Sequence, residues 1–217
     1  MNSRFILLCS VIVVTGLACS LLSPETAGGG SSQPGGVLFQ DDFSDPSSGW
    51  DRVDVNEGVT DYVDGAYRIY VNSSNTDVWA NPSLNFGDVQ IDVDATKVGG
   101  DDNNDYGVIC RYQDGENFYF FLVSSDGYYG IGKVAGGAEQ FFGEGAMLPS
   151  ETIKQGNVSN HLSAVCAGSS LSLSVNGEFL AGFEDTAFVS GDVGLLAGAF
   201  DQPGVDVYFD NFVVTNP

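Results

Sequence analysis

Residues 88–97 read DVQIDVDATK, and the apolar positions fall on every second residue. Val89, Ile91, Val93 and Ala95 point one way, while Gln90, Asp92, Asp94 and Thr96 point the other. That period of two belongs to a half-buried β-strand, which needs a second layer to cover its apolar side. Residues 170–176 repeat the pattern with Leu171, Leu173 and Val175 inward, and Asn176-Gly177 supplies a two-residue hairpin turn into EFLAGF. Similar runs recur at AYRIYV, DYGVICRY, NFYFFLVS and VDVYFDNFVV, with turn signals at Asp64-Gly65, Asp114-Gly115 and Asp126-Gly127. Only residues 148–156 offer a helical turn. Many short strands without a helix predict an all-β chain of two antiparallel sheets packed as a sandwich.

The N-terminal segment reads as an address. Residues 1–18 carry Arg4, an apolar stretch from Phe5 to Val14, and the small residues Gly16 and Ala18 before Cys19, a secretory signal too short to span a bilayer. Gly16-Leu17-Ala18-Cys19 resembles the lipobox of bacterial lipoproteins, which implies lipidation at Cys19 and membrane contact through the lipid anchor only. Residues 23–36 (SPETAGGGSSQPGG) form a flexible spacer, so residues 19–36 are read as a tether and 37–217 as the folded domain. The expected location is the cell envelope outside the cytoplasm.

Twenty-nine acidic residues stand against seven basic ones, a formal charge of −22. Such a chain has no basic stripe to neutralise phosphates, which excludes nucleic acid as a partner and favours calcium. Of four cysteines, Cys9 and Cys19 lie in the signal region, leaving Cys110 and Cys166. In an oxidising compartment these two form a bridge between strands distant in sequence, or else stand as two buried thiols.

The order DDFSDPSSGW, VQIDVDATK, DYGVICRYQDGENFYFFLVSSDGYYGI, NHLSAVC, SLSLSVNGEFLA, SGDVGLLAG and VDVYFDNFVV resembles the concanavalin A-like lectin/glucanase superfamily. Within it the chain looks closest to exported bacterial laminin-G-like and 3-keto-disaccharide hydrolase domains. The resemblance implies a jelly roll of two curved sheets whose concave face commonly binds saccharide. In glycosidases of that superfamily three carboxyl groups alternate along one strand. Here the counterpart is Gln90-Ile91-Asp92-Val93-Asp94, with an amide where the nucleophile belongs, so hydrolysis is disfavoured. The only histidine, His161, has no nucleophile elbow to serve.

Ligand binding is therefore expected on a concave polar and aromatic face built from Trp79, Asp92, Asp94, Arg111, Asn117, Tyr119 and Phe121, the strand NFYFFLV having aromatic residues on both sides. Two oxygen-rich groups are candidate calcium sites. One is the loop holding Asp101, Asn103 and Asp105, and the other is the pair Asp42 and Asp210, which the resemblance places on adjoining first and last strands. The sequence supports a lipid-anchored binder of glycan or another surface ligand. The alternatives are a glycoside hydrolase-like enzyme and a structural envelope lipoprotein that engages another protein.

Overall fold

The computed structural model describes residues 35–217; the signal, Cys19 and most of the tether lie outside the described residues. Two antiparallel sheets make up the described residues. The larger runs from edge to edge as β14 (Glu178–Glu184), β13 (Ser170–Val175), β12 (Ser159–Ala167), β6 (Val89–Gly99), β16 (Val205–Thr215), β4 (Ala66–Val71), β3 (Gly58–Val63) and β2 (Val53–Asp54), with β1 (Val37–Asp41) on β16. The smaller runs β10 (Ala138–Phe141), β9 (Tyr128–Ala135), β8 (Asn117–Val123), β7 (Asn104–Asp114), β15 (Asp192–Ala199) and β5 (Thr76–Ala80), with β11 (Leu148–Pro149) on β9.

The alternation in β6 does what it predicts. Val89, Ile91, Val93 and Ala95 are buried against the other sheet, and the intervening polar residues remain half exposed. The β13–β14 hairpin turns at Asn176 and Gly177, both with positive φ (52° and 85°), the geometry that favours Asn-Gly in a two-residue turn. Residues 148–156 form the short strand β11 and a turn rather than helix, because Leu148 and Pro149 pair with Tyr129 and Tyr128 of β9.

Between the layers lies one core to which both sheets contribute, including Ile91, Leu162, Leu173, Val207 and Phe209 from the nine-stranded sheet and Val108, Tyr119, Phe121 and Leu195 from the seven-stranded one. The Cys110–Cys166 disulfide ties β7 to β12 across this core, with a Cα–Cα distance of 6.8 Å. Trp50 closes the end where β1 and β16 pair. Its ring stands edge-on to Phe212 at 4.9 Å, and its Nε1 donates to Asp41 Oδ2 at 3.0 Å.

Candidate functional site

The residues expected to form one concave face are divided among four environments. Asp92 and Asp94 project from the outer side of the nine-stranded sheet. There His161 Nδ1 lies 2.8 Å from Asp94 Oδ1 and Nε2 lies 3.6 Å from Asp92. Gln90 Nε2 donates to Asp92 and Asn211 Nδ2 donates to Asp94, so both carboxylates are engaged in a polar strand surface.

Tyr119 and Phe121 face the opposite way from the expected platform. Both are 0% exposed, in the core between the sheets. Their direction follows from register: Tyr119 pairs with Cys110, whose sulfur must point at the other sheet to reach Cys166.

Arg111 is also interior. It sits at a β-bulge with φ of +51°, which breaks the alternation that would have sent it outward from Cys110. Its Nη1 donates to the carbonyls of Gly168 and Phe188 at 2.8 Å each, and its Nη2 donates to Asp88 at 3.0 Å, so the guanidinium clamps three loop segments. Asn117 staples a turn, donating to Asp114 and accepting from the Gly136 amide. Of the seven, Trp79 alone lies on the outer side of the seven-stranded sheet.

That outer side is the unusual surface of the molecule. The free side of a sheet in a two-layer sandwich is normally polar. Here Ile109, Phe118, Phe120, Leu122 and Leu196 make a second apolar cluster, covered by the partly exposed Trp79, Tyr112, Val134, Phe141 and Met147. Trp79 leans on Phe118 with ring centroids 5.9 Å apart, and its Nε1 donates to the Tyr112 hydroxyl at 3.4 Å. Gly130 admits Phe141 and Met147 onto the sheet, since a Cβ there would come within 2.5 Å of the Phe141 ring.

Carboxyl groups adjoin this aromatic shelf. Asp77 lies two residues before Trp79 on β5, Asp105 two before Gly107 on β7, and Glu139 two before Phe141 on β10. Together with Asn75, Thr76, Ala199 and Phe200 they line a recess of about 230 Å³. Phe200 also lines a neighbouring depression with Tyr128, Met147, Asn103, Ser124 and Asp126. Asp105 is 4% exposed and its Oδ1 has no hydrogen-bond partner. Burial, reinforced by Asp77 and Glu139, pushes its carboxyl well above the usual range. Asp77 keeps one side open to solvent, yet its crowded surroundings and Glu139 raise it to about 6. Burial raises Glu139 too.

The expected metal donors are not brought together. Asp101 Oδ1 accepts from the Asn103 amide within its own turn, and Asn103 Nδ2 donates to Asp201, whereas Asp105 has left the loop for the sheet. Asp42 is taken up by the amide and hydroxyl of Ser44, and Asp210 stands opposite Asp94 on β6. Among the described residues no three His, Cys, Asp or Glu side chains enclose a position suited to a metal ion. Two aspartates of the recess, Asp77 and Asp105, form a pair of hard oxygen donors.

No protein-family model and no curated protein matches the chain. Solved structures do match it. The carbohydrate-binding module CBM66 from Bacillus subtilis superposes with a TM-score of 0.62 at 18% identity, covering 78% of this chain and 96% of the module. A Bacillus subtilis protein of unknown function with a galectin-like fold gives 0.63 at 11% identity, covering 85% and 97%. The Bacillus licheniformis β-glucanase gives 0.58 at 11% identity, covering 85% and 100%. The fold is thus the concanavalin A-like jelly-roll sandwich.

Proposed function

We propose that the protein is an exported, lipid-anchored β-sandwich that binds glycan on the outer side of its seven-stranded sheet. One observation carries the reading: among the described residues, an apolar, aromatic surface lies on the side of the seven-stranded sheet that faces away from the other sheet. Trp79, Tyr112 and Phe141 offer partly exposed rings, and the apolar face of a pyranose stacks on such surfaces while its hydroxyls seek carboxylates and amides alongside. Carbohydrate-binding modules and glucanases on the same fold support a saccharide ligand, without fixing which one. The apolar segment before Cys19, the spacer after it and an interlayer disulfide all fit an exported chain.

A hydrolytic reading has one observation behind it, the raised carboxyls of Asp77, Asp105 and Glu139 beside the aromatic shelf. A glycan array followed by a reducing-sugar assay on each bound oligosaccharide separates the two. Binding that is lost in Trp79→Ala, with no sugar released, is the expected result. Turnover abolished by Asp77→Asn would replace the binder with an enzyme, and glycan binding unaffected by Trp79→Ala would move the site elsewhere.

A further inference from the structure

We propose that Asp77 and Asp105 hold a divalent cation, with calcium the ion their chemistry selects. The register sets the pair up. Gly198 of β15 is opposite Asp77 on one flank and Asp105 on the other, so the two aspartates face each other across a residue with no side chain. A Cβ on Gly198 would lie 2.1 Å from Asp105 Oδ1 and 2.2 Å from Asp77 Oδ1. Both oxygens thus converge on a space of about one methyl group.

An acidic pair alone would not define a site. The second observation is that Asp105 Oδ1, in a residue 4% exposed, reaches into this space with no donor to satisfy it. Buried carboxylates ordinarily find donors or counter-charges, and no Lys, Arg or His lines the recess. A cation supplies what is missing.

The donor set chooses the ion. All the ionisable side chains lining the recess are carboxylates, ligands of hard cations, and neither imidazole nor thiolate is present to favour zinc or copper. Calcium accepts six to eight oxygens in loose geometry and fills open positions with water. A recess of about 230 Å³ has room for an ion with several waters, each taking roughly 30 Å³. Asp77 and Asp105 are then the protein's ligands, with Glu139 on the rim adding negative field. The proposal goes beyond the glycan reading, and because the metal is tested alone, either can fail without the other.

The test is calorimetric titration of calcium chloride into chelator-stripped protein at pH 7.5, paired with thermal melts. The expected result is one ion per chain, a higher melting temperature with calcium, and binding weakened at least tenfold in Asp105→Asn and in Gly198→Ala, whose methyl occupies the ion's place. Asp77→Asn, on the open side of the recess, is the variant to rely on should Gly198→Ala fail to fold, and it too should lose at least tenfold. Asp101→Asn and Asp42→Asn should bind as wild type. No calcium binding by the wild type, or full binding in Asp77→Asn, overturns the proposal. So does loss of binding in Asp101→Asn or Asp42→Asn, which would put the ion elsewhere. A carboxyl pair that binds no calcium and whose Asp77→Asn variant loses sugar hydrolysis would be catalytic instead.

Discussion

Asp77 and Asp105 extend from the two strands that flank β15 and direct one carboxylate oxygen each at the same glycine, Gly198. The sheet gains nothing in stability from that arrangement, because a buried carboxylate without donors costs folding free energy. Asp105→Asn, measured in chelator, should therefore unfold later than wild type, by about 1–3 kcal/mol in denaturant titration. A less stable variant would show that Asp105 makes a stabilising contact in the free protein.

Arg111 is the opposite case, a charge whose contacts hold the fold. Its guanidinium spans the Gly168 and Phe188 carbonyls and Asp88, a fork that lysine cannot reproduce. Arg111→Lys should cost about 2–3 kcal/mol in denaturant midpoint, and truncation to methionine about 3–5 kcal/mol, by leaving buried acceptors unpaired. Glycan affinity of the folded fraction should be unchanged in Arg111→Lys. A selective loss of affinity would return Arg111 to the ligand site.

The Cys110–Cys166 bridge closes a loop with a sequence separation of 56 across the core. Replacing both cysteines by alanine should lower stability by about 4 kcal/mol on the chain-entropy account. Unfolding curves of the oxidised and alanine forms that coincide would assign the bridge no stabilising role.

Asp192 carries a pH dependence. Burial lifts its carboxyl from 3.8 to about 6, against the opposing pull of the Val193, Leu84 and Ser83 amides, with Asp51 pushing further upward. The folded state therefore holds this proton more tightly than the unfolded chain. The stabilisation is present below pH 4 and is lost as pH rises to about 6, at a scale of about 2 kcal/mol. Asp192→Asn should have a melting temperature that gains on wild type between pH 4 and 7. A difference constant across that range would contradict the assignment.

How far the sequence could be read depended on which residues carried their own frame of reference. The alternation in 88–97 and the Asn176-Gly177 turn each fix direction locally, and both formed as expected. NFYFFLV has no such mark, because both of its faces are apolar. Its surplus aromatic side was visible, but choosing Tyr119 and Phe121 over Phe118 and Phe120 required knowing that Tyr119 pairs with Cys110. A disulfide joining two layers would have supplied that parity, sending Cys110 and Tyr119 inward together.

Other residues were hidden for different physical reasons. Arg111 defeats alternation because a bulge lies beside it, which no local pattern announces. Asp105 stood out as one acid in the run GGDDNND, but its role depends on Asp77 and Gly198, which are 28 and 93 residues away in sequence and meet it only through strand register. Long-range pairing is what single-sequence periodicity cannot supply.

The position of the glycan site can be tested with the protein's own fluorescence. The chain has two tryptophans: Trp50 is 4% exposed in the terminal core, and Trp79 is partly exposed on the aromatic shelf. Acrylamide quenching should be measured with and without a glycan that binds, in the wild type and in Trp79→Phe. The account predicts that glycan shields wild-type emission from the quencher and that Trp79→Phe shows no such protection. Saturating glycan that leaves Trp79 as accessible as before would contradict the placement of the site on the seven-stranded sheet.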